Sequence, residues 1–215
     1  MNRIDLQARI GTRTDNIWGP ASKAALVRTF TSPAAPAITA AQLQAMATRL
    51  GCTLAQLRAV ASVESGRSAF DDQGRPKILF ERHVFHELTS GRYSISPWSN
   101  PQWGGYGEPS WDKLCCAAGQ DPAAAFASAS WGRFQVLGKW WSQLGFSSSF
   151  DLAISTAASE LAHYELLARY IEWKLLKPAL RALSRDPETC RTFAHGYNGE
   201  AYERNAYHRK LAAAL

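Results

Sequence analysis

Along residues 54–65, Leu54, Leu57 and Ala61 recur at alternating steps of three and four, one face of an α-helix, and the next member of that series is Glu64. Gly66 follows as a helix stop. A carboxylate on an apolar helix face loses hydration, and near a helix C-terminus it meets the negative end of the helix dipole. Both effects raise its pKa. The result is a carboxylic acid that can hold its proton near neutrality, the property a general acid needs. The competing reading is an ion pair with Arg67 or Arg75.

Three other segments carry groups of the same kind. Ile78-Leu79-Phe80-Glu81-Arg82-His83 sets a second carboxylate, Glu81, at the end of the best strand candidate; its ordinary reading is a Glu81–Arg82 surface pair. Ser130-Trp131-Gly132-Arg133-Phe134-Gln135-Val136 combines a glycine, where backbone can approach a ligand, with Gln135, which both donates and accepts. Gly196-Tyr197-Asn198-Gly199 offers a phenol and an amide on a turn after a helix, or a plain connection. His83, His86 and Glu87 share a helix face, but no HExxH, cysteine partner or third ligand accompanies them, so no metal is expected. The tract WGGYG lacks the spacing and the lysine of a phosphate loop, and no cofactor is expected.

The elements that must position these groups are mostly helical. Helices are expected over 39–65 (two, broken near Gly51-Cys52), 111–119, 121–129, 133–144, 151–176, 178–184, from the Asp186-Pro187 cap to Gly196, and 200–214. Lys77–Phe80 is the strand candidate and, with the turn Asp72–Arg75, suggests a small hairpin. Residues 1–30 read as a short helical segment with too little core to stand alone, and 31–40, TSPAAPAITA, as a linker. Residues 90–110 form a long Gly/Pro/Ser/Trp loop. Trp140-Trp141 read as core, and the basic C-terminal Arg204, Arg209 and Lys210 as a solvated helix face. Cys52, Cys115, Cys116 and Cys190 fit no zinc or redox motif and read as reduced thiols.

The order ESG, GRFQV, GYNG resembles the three-motif pattern of goose-type lysozymes and soluble lytic transglycosylases. More closely, VESG (63–66), DDQGRPKILFERHVF (71–85), GGYG (104–107), SASWGRFQV (128–136) and YNGEAYERNAYHRKL (197–211) resemble the N-acetylmuramidase family of phage endolysins, over roughly 41–215. The segment LQARIG…DNIWGPASKAAL resembles the latter part of a peptidoglycan-binding module. The resemblance implies a mostly α, lysozyme-like domain at 41–215 with a small β-hairpin beside its cleft. It implies Glu64 as catalytic acid, with Gln135, Tyr197, Asn198 and Ser130 lining the cleft. Glu81 is the candidate second carboxylate, with Asp71 and Asp72 as substitutes. Trp98, Trp103 and Tyr106 would stack on sugar faces or cover the core. The implied reaction is cleavage of the β-1,4 bond between N-acetylmuramic acid and N-acetylglucosamine, or transglycosylation to anhydromuramyl ends if Glu81 points away.

Composition agrees with that expectation without demanding it. The charge of +6 suits an anionic partner such as a peptidoglycan strand, or simple solubility. No apolar run approaches the roughly 20 residues that span a bilayer, and no recognition motif or basic cluster points to nucleic acid. The opening MNRIDLQARIG has no apolar signal core, so synthesis in the host cytoplasm, holin-type release to the wall and a monomer are expected. Two further classes stay open: a wall-binding or virion protein that does not cut, and a metal-dependent amidase or peptidase acting on the stem peptide.

Overall fold

Local capping chemistry sets most helix starts. Thr39 and Gln42 close a reciprocal capping box at the head of α3 (Ala40–Leu50), and Gly51 ends it in the left-handed conformation at φ 68°. Thr53 and Gln56 repeat the box at the start of α4 (Leu54–Ser65). The computed structural model describes residues 1–65, 68–94 and 109–215, and for Glu64 and Ser65 the backbone alone. The chain divides into two compact units, each discontinuous in sequence: 1–35 with 70–158, and 36–69 with 159–215.

The first unit gathers α1 (Arg3–Arg9), α2 (Pro20–Phe30), β1 (Ile78–Phe80), α5 (Arg82–Leu88), α6 (Ser110–Gln120), α7 (Pro122–Ala127), β2 (Ala129–Trp131), β3 (Val136–Leu137) and α8 (Ser149–Ser155). Its core is aromatic. Phe30, fully buried, lies 5.2 Å from Trp111, 5.5 Å from Trp131, 5.9 Å from Phe150 and 6.0 Å from Phe126 between ring centroids. The N-terminal segment therefore does more than lean on its neighbour: its last residue is central to the neighbour's core. Trp18 seals the same contact, donating from Nε1 to Cys115 O at 2.8 Å and lying where any Cβ on Gly119 would intrude.

The sheet is antiparallel with order β1-β2-β3, pairing Ile78 with Trp131, Leu79 with Ser130 and Phe80 with Ala129. The strand at 78–80 matches the sequence reading, but its partner comes from fifty residues away. The local turn at 72–74 closes only a bridge between Phe70 and Pro76. The expected helix at 133–144 is absent: Ser130 and Trp131 pair with Leu137 and Val136, and a short 3-10 turn over Gly138–Trp140 follows. Gln135, at φ 50°, and Gly132, at φ 68°, sit in left-handed conformations that no α-helix contains.

The second unit holds α3, α4, α9 (Glu160–Trp173), α10 (Lys177–Arg181), α11 (Pro187–Asn198) and α12 (Tyr207–Ala213). The expected single helix over 151–176 is two, because Ser159 caps a new start by accepting from Ala162 N. Arg49 of α3 grips Glu172 of α9 with two bonds, Nε–Oε1 at 3.1 Å and Nη2–Oε2 at 2.7 Å, and also pairs with Glu165. Gln56 donates to Arg181 O and Leu183 O, tying the head of α4 to the end of α10. α11 runs two residues past the expected stop at Gly196, and a 3-10 turn (Gly199–Tyr202) separates it from a final helix shorter than expected. The four cysteines are free thiols.

Candidate active site

The predicted site residues fall into two groups, one in each unit. In the second unit, Glu64 is the penultimate residue of α4, on the face that also carries the buried Leu57, Val60 and Ala61. α12 packs against both α4 and α11. Tyr197 and Asn198 close the last turn of α11 rather than standing on a turn beyond it. Both are half-buried. Tyr197 is held between two rings, stacked on Phe193 at 5.7 Å and edge-on to Tyr170 of α9 at 5.2 Å. Tyr170 is a supporting residue the motifs did not reveal; its sequence signal is the aromatic pair Tyr170 and Trp173, one helical turn apart.

In the first unit, the small sheet carries Glu81, Ser130 and Gln135, with Glu81 and Gln135 at opposite ends of β1. Glu81 follows β1 directly, and its N–H donates to Ser128 O at 2.8 Å, extending the β1–β2 ladder by one residue. Leu79 and Ser130 are cross-strand partners, and strand alternation adds Glu81 to their side of the sheet. Ser130 itself is buried. Gln135, the exposed residue of the β2–β3 turn, donates from Nε2 to Gly132 O at 2.7 Å and, more weakly, to Lys77 O at 3.4 Å. These bonds fix the amide against the far end of β1 from Glu81, about 13 Å along the strand at 3.3 Å per residue.

Glu81 has the electrostatics of a chemical group. Its side chain keeps only 19% exposure, and burial pushes its carboxyl above the ordinary glutamate range; His83 opposes the shift, its Nδ1 lying 3.6 Å from Oε2. Glu81 also sits at the N-cap of α5, yet its side chain makes no capping bond, so the helix does little to restore its charge. The two substitutes are differently placed. Asp71 is committed to its own turn, pairing with Arg75 at 2.7–2.8 Å and accepting from the N–H groups of Gln73 and Arg75. Asp72 is exposed. Arg75, one of two expected ion-pair partners for Glu64, is thus engaged by Asp71.

His86 Nδ1 bonds Ser94 Oγ at 2.7 Å, and among the described residues no three His, Cys, Asp or Glu side chains converge as a metal site would require. Trp98, Trp103 and Tyr106, with Gly66 and Arg67, lie outside the described residues. Trp140 and Trp141, expected in the core, are half-exposed.

The sequence profile of the Muramidase family, described as N-acetylmuramidase, matches residues 53–215. Among solved structures, the crystal structure of the Burkholderia AP3 phage endolysin resembles this chain with 33% identity and a TM-score of 0.72, over 99% of this chain and 81% of that one. No curated protein matches.

Proposed function

Because the chain belongs to the N-acetylmuramidase family, we propose that it is an endolysin that hydrolyses the β-1,4 bond between N-acetylmuramic acid and N-acetylglucosamine in peptidoglycan. The observation that carries this reading is the family match across 53–215, which encloses both carboxylates and all the proposed cleft residues. Glu64 is the general acid. From the last turn of α4 it gives a proton to the glycosidic oxygen as the C1–O bond breaks. Glu81 takes the proton from the water that adds to the oxocarbenium-like carbon, so the sum of the two steps is the addition of one water. Burial raises the Glu81 carboxyl above the ordinary glutamate range, which makes its carboxylate a stronger base for that step. Tyr197, Asn198, Gln135 and Ser130 hold the sugars, joined by Trp103 and Tyr106.

Residues 41–215 form the catalytic domain. Residues 1–30 are read as a peptidoglycan-binding-like segment and 31–40 as a linker; the family match begins at residue 53, and residues 1–35 share a compact unit with 70–158. The enzyme works as a monomer, needs no cofactor, and reaches the wall from the cytoplasm by holin-type release. No described helix is long and apolar enough to cross a membrane.

The test is mass spectrometry of purified peptidoglycan digested by the wild type and by Glu64→Gln. Reducing N-acetylmuramic acid ends that vanish in the variant support the proposal. Anhydromuramyl ends make the enzyme a lytic transglycosylase. Intact glycan with retained wall binding overturns the enzymatic reading, and new amino groups in place of new reducing ends point to the stem peptide.

A further inference from the structure

The C-terminal end of α9 combines features that folding alone does not favour. The helix closes in a Schellman motif, Leu176 N donating to Ile171 O at 2.9 Å and Leu175 N to Glu172 O at 3.1 Å. The left-handed position of that motif ordinarily takes glycine, but here it is Leu175, at φ 56° and with 82% of its surface exposed. A leucine there pays twice, in backbone strain and in apolar surface left in water. Beside it the exposed Lys174 holds its ammonium 4.6 Å from the ring centre of half-exposed Trp173 and 6.0 Å from that of Tyr170. Lys177, one turn on, is taken up by Glu172 and by Arg49 O.

This patch is continuous with the proposed sugar site. Trp173 meets Tyr170 at 5.7 Å, and Tyr170 meets Tyr197 at 5.2 Å. Leu176 packs so closely on Gly196, the residue before Tyr197, that a Cβ there would stand 2.4 Å from Leu176 Cδ2. We propose that Trp173, Lys174 and Leu175 form an additional subsite for the glycan strand, beyond the sugar that Tyr197 contacts. Trp173 and Leu175 cover the apolar face of an amino sugar, and Lys174 meets a carboxylate borne by the strand or its peptide substituents. The proposal rests on the reading of Tyr197 as a cleft residue. Its ring-to-ring link to Tyr197 favours a glycan over a lipid surface, and three adjacent side chains are a small footprint for membrane binding.

The experiment is cosedimentation with purified sacculi of the full chain carrying Glu64→Gln, so that substrate survives, combined with Trp173→Ala, Lys174→Gln or Leu175→Gly. Each is expected to weaken binding roughly threefold to tenfold, and the Lys174→Gln effect should shrink as salt rises. Leu175→Gly guards against misfolding, because it relieves the backbone and its thermal midpoint should not fall. Unchanged affinity for sacculi in Leu175→Gly and Lys174→Gln overturns the proposal. So does loss of binding confined to phosphatidylglycerol vesicles, which would assign the patch to lipid. If the variants lose sacculus binding while the chain with Glu64 intact releases no muropeptides, the subsite stands and the glycosidase reading fails.

Discussion

Glu81 is folded into a place that penalises its charge, and the penalty has a sign that can be measured. Below the ordinary glutamate pKa the carboxyl is protonated in folded and unfolded chains alike and contributes nothing. Between that value and its raised folded value the native state binds more protons, so stability falls as pH rises, and above both the full cost is present. Glu81→Gln should therefore raise the thermal midpoint at pH 7–8 and leave it unchanged near pH 3, as differential scanning calorimetry can show. In turnover assays the same variant should lose on the order of 10²-fold or more in activity, and Glu64→Gln on the order of 10³-fold, with circular dichroism unchanged in both. At this scale the sequence is informative about position: it places Glu64 in the last turn of a helix and Glu81 at the close of a strand. It did not reveal His83 as the neighbour of Glu81 or Tyr170 as the support of Tyr197. The first depends on how the chain turns at a helix start, the second on two helices meeting.

Elements with their own punctuation were legible, and those defined by distant partners were not. Thr39 with Gln42 and Asp186 with Pro187 announce helix starts from a few adjacent residues, and Gly51 announces a stop. Strands β2 and β3 have three and two residues, too few for alternation to register, and exist because β1 supplies an edge from fifty residues upstream. Gly138 shows how tightly that sheet is seated: a Cβ there would stand 2.1 Å from Phe126 O and 3.0 Å from Trp131 Nε1, which itself donates to Phe126 O. Gly138→Ala should cost about 3 kcal/mol, read from urea unfolding, and should lower activity by displacing the β2–β3 turn that carries Gln135. Leu175→Gly should act in the opposite direction, stabilising by about 1 kcal/mol through relief of the left-handed leucine.

For the whole molecule, composition reads the Pro/Ala stretch at 31–40 as a linker, whereas the chain passes between units three times, after residues 35, 69 and 158. What composition could not show is that residues 1–35 complete the aromatic core of 70–158. Phe30→Ala should cost about 3–5 kcal/mol, and deletion of residues 1–30 should give a chain that binds hydrophobic dyes and loses cooperative melting, not a trimmed enzyme. Both are checked by thermal unfolding. The same interleaving shapes the birth of the protein. The chain passes between units after residues 35, 69 and 158, so neither unit is complete when the other begins. At 5–20 residues per second, Phe30 waits on the order of ten seconds for the aromatic residues that will cover it. During translation this amino terminus is an apolar segment whose partners have yet to be made.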